Sequence, residues 1–125
     1  MPNNIDTISL PIRVESRNKL DKMHWASKRR LRQSYSLLVR NQMKINSIAK
    51  AEPKAKYVLG IVAFRRYRIR DYDNLVGGCK QLIDALHKEG FIWDDDTDYI
   101  GIPKISQQQH KEDSVVITRE LIQDK

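Results

Sequence analysis

Two aspartates, Asp71 and Asp73, stand one residue apart in RIRDYDNLVGGCKQLIDAL, and four more, Asp94, Asp95, Asp96 and Asp98, crowd a later stretch. A pair of carboxylates about 4 Å apart repel by roughly 4 kcal/mol at an effective dielectric of 20. A shared proton, a cation or a metal relieves that cost, and hard oxygen donors favour Mg²⁺ or Mn²⁺. In extended backbone, residues two apart point the same way, so Asp71 and Asp73 can face one point in space. The later cluster completes such a site if the intervening helix doubles back. On that helix Lys80 and Asp84 are four residues apart, beside the apolar stripe, and Asp73 points the same way if it is helical. There the Lys80 ammonium can bind a phosphate or steady a leaving oxygen; the plainer alternative is an exposed Lys–Asp pair.

The same acids admit other uses. An EF-hand fails, because the fifth and sixth positions are Leu75 and Val76 after Asp71, and Asp98 and Tyr99 after Asp94. Asp73 or Asn74 could cap a helix beginning at Leu75, with acids complementing its dipole, and DDDTD could be a solvated turn. A D-x-D phosphatase, with the first Asp as covalent nucleophile, needs a longer chain and further motifs. The single cysteine, Cys79, makes no intramolecular disulfide or Cys/His zinc cluster and is expected in the core. His24, His87 and His110 are scattered and read as surface or helix-end residues, and Trp25 and Trp93 as core or interface anchors.

The elements that must position these residues follow from periodicity. Ile8, Leu10, Ile12 and Val14 alternate with polar positions, predicting a strand at 5–15 that Pro11 confines to an edge or an irregular run. A helical period over 17–50 puts Leu31, Tyr35, Leu38, Gln42, Ile45 and Ala49 on one side and Arg29, Arg32, Arg40 and Lys44 on the other. YVLGIVAFRRYRIR predicts a strand at 56–69, its apolar half buried on both faces and Arg66, Arg68 and Arg70 sharing one side. Leu75, Cys79, Leu82, Ile83 and Leu86 form a second helix face, stopped at Gly90, while Gly77 and Gly78 suggest close backbone approach or an irregular first turn. A strand at 98–107 and a last strand, SVVITREL, pair through the QQHKED connection. The order β-α-β-α-β-β predicts an α+β fold over residues 1–125, one domain with a small mixed sheet and two main helices.

Charge is divided unevenly. Residues 1–70 carry 17 Lys and Arg against 4 Asp and Glu, and residues 71–125 carry 6 against 12. A basic surface of that size favours a polyanion, nucleic acid before an anionic membrane, and no amphipathic anchor or long apolar run supports the membrane. The start resembles no secretory signal, so a cytoplasmic protein is expected.

The residues from Arg70 to Asp95 resemble the RusA family of Holliday junction resolvases, with weaker agreement in ISLP and the later strands. The family pattern is an Arg-rich strand, D-x-D-N, a lysine, D-A-L on a helix, then Gly, a hydrophobic stretch and D-D; here these are RDYDN, Lys80, DAL at Asp84–Leu86, and GFIWDD. The resemblance implies a Mg²⁺-dependent endonuclease, with Mn²⁺ an alternative, that resolves four-way DNA junctions by paired phosphodiester hydrolysis in recombination and repair. It makes Asp71, Asp73 and Asp95 the metal-site carboxylates, Lys80 the catalytic lysine and Asp94 an acidic neighbour of lesser weight. LVGGCK places three more residues before Lys80 than the short form of the pattern, about 4.5 Å and 300° of helix. Family members are homodimers, which suits the two-fold symmetry of a junction and its two opposed cuts. Arg29, Arg32, Arg66, Arg68 and Arg70 are then the expected DNA contacts. The rival from another class is a non-catalytic DNA-binding module whose acids only cap a helix.

Overall fold

In the computed structural model, which describes residues 4–123, Ile8 and Leu10 alternate with Thr7 and Ser9 to make β1 (Ile5–Leu10). It falls short of the expected 5–15 because Pro11 has no amide hydrogen for a ladder, although Val14 is still buried. The expected helix 17–50 is two helices. Ser16 caps α1 (Arg17–Asp21) by accepting from Lys19 N, and the His24 ring caps α2 (Trp25–Ile45). The buried stripe of α2 is Tyr35, Val39 and Met43, with Leu31 and Leu38 at its margin. Ile45 is about 200° round the helix from Met43, and is exposed where the pattern placed it inside.

β2 (Tyr57–Arg65) buries Tyr57, Leu59, Ile61 and Ala63, while Val58, Val62 and Phe64 on its other face are half-buried, so only one face is fully covered. The strand expected to reach residue 69 stops at Arg65, and Arg66 N donates to the Asp113 carboxylate instead. The chain then crosses through α3 (Tyr72–Gly78), α4 (Lys80–Glu89) and α5 (Thr97–Ile100) to β3 (Lys104–Gln109), which lies parallel to β2, and ends in β4 (Ser114–Leu121). The first part of the expected strand 98–107 is α5, because the Asp96 carboxylate accepts from Asp98 N at 2.8 Å and caps a helical turn.

β4 does not pair with β3. It enters between β1 and β2, antiparallel to both, giving the order β1-β4-β2-β3. The connection between the last two strands straddles the end of β2, where His110 N donates to Arg65 O at 2.9 Å. The strand carrying Val115 and Ile117 takes the central place, opposite Leu10 and Ile8 on one side and Ala63 and Ile61 on the other. These side chains meet Leu75, Cys79, Leu82, Leu86 and Phe91 in one core between sheet and helices. No helix among the described residues is long and apolar enough to cross a membrane.

Candidate functional site

Asp71 opens α3. Its backbone is extended, and its carboxylate accepts from Asp73 N at 3.0 Å, so it is the N-cap, a role the sequence pattern assigned to Asp73 or Asn74. Asp73 is already in the first helical turn. The two carboxylates therefore do not share one side of an extended chain, because the strand ended earlier; both residues are exposed. The residues after Asp73 complete α3, and the helix breaks at Cys79 before α4 begins at Lys80. Close contact permits this arrangement only with glycine: a Cβ on Gly78 would lie 1.8 Å from the Glu15 carbonyl oxygen.

Lys80, Asp84 and His87 recur along one side of α4. Gly90, at φ 86°, ends the helix in the left-handed region. Beyond it the buried Phe91 and Ile92 carry the chain back alongside α4. Arg119 fastens this return: its Nη1 donates to Phe91 O at 2.8 Å, its Nη2 to Ala49 O at 2.6 Å and its Nε to Asp6 Oδ2 at 3.0 Å. Asp95 thereby shares the wall of a recess of about 420 Å³ with Lys80, Asp84, Tyr72 and Val76.

His87 Nδ1 lies 4.0 Å from Asp95 Oδ1. One ligand atom from each of His87, Asp94 and Asp95 falls within 4.8 Å of the others, and among the described residues this is the group of three so gathered. Asp71 and Asp73 are not in it, nor do they line the recess. His87, read from sequence as a helix-end residue, was legible only as the next member of the Lys80–Asp84 stripe. Partial burial pushes the Asp84 carboxyl above its ordinary pKa, and the Asp95 charge adds to the rise; Lys80, Arg32 and His87 oppose it. Asp94 is held below its ordinary value by a hydrogen bond with the Asp95 carboxyl, helped by the Asp96 and Asp95 backbone and by His87. The Asp94 and Asp95 oxygens suit Mg²⁺ or Mn²⁺, while the imidazole is a softer donor more usual for later metals.

The basic residues divide by surroundings. Ile69 is buried, and the Gln107 amide holds both its backbone groups, donating to Ile69 O at 2.6 Å and accepting from Ile69 N at 2.9 Å. That side chain replaces a ladder partner and leaves Arg68 and Arg70 exposed in a polar recess of about 620 Å³ with Tyr67 and Gln109. Arg66 is exposed over the Tyr67 ring, 5.7 Å from its centre. Arg29 and Arg32 are exposed on α2, with Arg32 close enough for its charge to act on Asp84. Arg40, grouped with them by sequence, instead forks onto Glu89 of α4 at 2.8 and 3.2 Å and braces two helices. Trp25, expected as a core or interface anchor, is 68% exposed and so is not part of the core. Comparison with protein-family models and with curated proteins returns no match for this chain.

Proposed function

We propose that this protein is a divalent-metal-dependent, structure-selective endonuclease acting on branched DNA, as its resemblance to the RusA family implies. The observation that carries the reading is the meeting of Lys80, Asp84 and Asp95, from a helix and a returning loop, around one recess. Burial and the nearby Asp95 already resist the charge on Asp84, an arrangement that a cation relieves. Held by Asp95 with Asp94 and His87, Mg²⁺ or Mn²⁺ would supply Lewis acidity toward a phosphodiester and ease deprotonation of water. Asp71 and Asp73 begin the helix whose Tyr72 and Val76 wall the same recess, and in this reading they complete the acidic set around bound DNA. Lys80 steadies the phosphate or the departing oxygen. Arg68 and Arg70, with Arg29, Arg32 and Arg66, take the backbones of the duplex arms. A homodimer about a two-fold axis supplies the two cuts that a four-way junction needs.

The test is incubation with an end-labelled synthetic four-way junction. Wild type nicks only when Mg²⁺ is present, and Asp95→Asn binds without nicking. Metal-independent nicking, or nicking by Asp95→Asn at the wild-type rate, overturns the proposal. One observation favours the non-catalytic alternative: the Asp71 carboxylate is already engaged as a helix cap, which needs no cation. Binding without nicking, unchanged by Asp73→Asn, selects that reading.

A further inference from the structure

Two recesses meet at the junction of α3 and α4. The recess of about 420 Å³ that carries Asp84 and Asp95 is otherwise mostly apolar, walled by Tyr72, Val76 and Ile102 among others. A second, of about 390 Å³, lies against Arg17, Lys28 and Gln81. Gly77 and Lys80 belong to both. Gly77 contributes by lacking a side chain, since a Cβ there would stand 2.6 Å from Arg17 Cδ; the arginine stem thus lies directly over the junction.

The two walls differ in chemistry. On the first, Ile102 is 88% and Tyr72 60% exposed, a broad apolar and aromatic surface left in water. On the second, Arg17, Lys28 and Lys80 face a single acid, Asp21, which is 3.6 Å from Arg17 Nε. An occupant that complements both is apolar and flat at one end, negative at the other, and joined over Lys80. A nucleobase with its own phosphate has that form, and bases of any sequence stack on an aromatic face.

We propose that the paired recesses are a subsite for one unpaired nucleotide of the bound DNA strand, its base against Tyr72 and Ile102 and its phosphate over Lys80 and Arg17. The proposal rests on the reading of this protein as a DNA-binding one and adds that it holds a base out of the stack at the branch point.

The experiment measures affinity by fluorescence anisotropy, without divalent metal, for synthetic four-way junctions that each carry one abasic position beside the branch. Wild type loses about tenfold in affinity at one such position, which corresponds to about 1.4 kcal/mol. Val76→Trp, whose indole fills the recess, binds the intact junction about tenfold more weakly and changes less than about twofold on the abasic series. Ile102→Glu, at a site 88% exposed, gives the same pattern if Val76→Trp fails to fold. A flat wild-type profile, or wild-type sensitivity in both variants, overturns the subsite. Nicking in Mg²⁺ is scored on the same junctions. Position-dependent affinity without nicking keeps the subsite and removes the endonuclease reading; nicking with a flat profile does the reverse.

Discussion

Replacing Arg119 with alanine should cost about 3–5 kcal/mol, because it leaves the Phe91 and Ala49 carbonyls without their donor, at about 1–3 kcal/mol for each unsatisfied buried group, and empties the space the side chain fills. The residue is 4% exposed, its three hydrogen bonds join β1, the loop after α2 and the segment after Gly90, and its guanidinium lies 5.0 and 4.8 Å from the ring centres of Tyr57 and Phe91. Bonds to a charged group are worth about 1.5–3 kcal/mol each. Their sum overstates the loss, because desolvation of the guanidinium offsets part of it and the Asp6 side chain is 42% exposed and screened by water. With a urea slope of about 1–3 kcal/mol per molar, the midpoint should fall by about 2 M, a large part of a total stability of about 5–15 kcal/mol. Arg119→Lys should recover only part of this, since an ammonium lacks the planar fork that reaches three acceptors. In the lysine variant, amide hydrogen exchange from Phe91 to Asp96 should accelerate, because the Phe91 carbonyl loses its donor. An alanine variant that unfolds within about 1 kcal/mol of wild type, with an unchanged slope, would refute the account of how Asp94 and Asp95 are held in place.

Asp71→Asn keeps an oxygen at the N-cap but removes the charge, so thermal stability should stay near wild type while nicking falls by the roughly 10–100-fold typical of outer-shell partners of a metal; a fall in stability alongside the loss of nicking would point to a structural role. Asp84→Asn should stabilise the fold at neutral pH, because the folded protein raises this pKa and so penalises the ionised form. In denaturant titrations that gain should shrink as pH falls through the raised folded pKa and vanish below the ordinary value of 3.8; a gain that persists below it would contradict the cause assigned. Junction affinity should drop steeply with salt, and Arg68→Gln and Arg70→Gln should each flatten the log–log slope by about 0.9 if each contacts one phosphate. Saturating Mg²⁺ should raise the melting temperature of wild type, by the equivalent of about 2.7 kcal/mol at a hundred times Kd, and leave Asp95→Asn unmoved.

What could be read in the sequence was set by local periodicity. Leu75, Cys79, Leu82 and Leu86 form a buried helix face, Gly90 ends it in the left-handed region, and β1, β2 and β4 turn alternate residues inward. Choices made by distant parts of the chain left no such trace. Which strand lies beside β4 depends on two partners, β1 and β2, far from it in sequence. The arginines at 66, 68 and 70 have a strand's spacing, yet the Gln107 side chain takes the place of the ladder at Ile69. Arg119 carried one clue, sharing the inward face of β4 with Val115 and Ile117, where a charge must find partners.

The acids are the instructive case, because the residue type that ligates a cation is also the type that caps a helix. Asp71 caps α3 and Asp96 caps α5, so both acidic stretches of the sequence have a folding role. Asp95 has none of that kind: it stands beside His87 and on the wall with Lys80 and Asp84, in a region where burial and its own charge make a second carboxylate costly. A cap needs only an oxygen acceptor, whereas a cation site needs the negative charge. Asparagine at each position therefore separates the two roles. At Asp96 it should leave both stability and nicking intact, at Asp71 it should spare only stability, and at Asp95 it should abolish nicking.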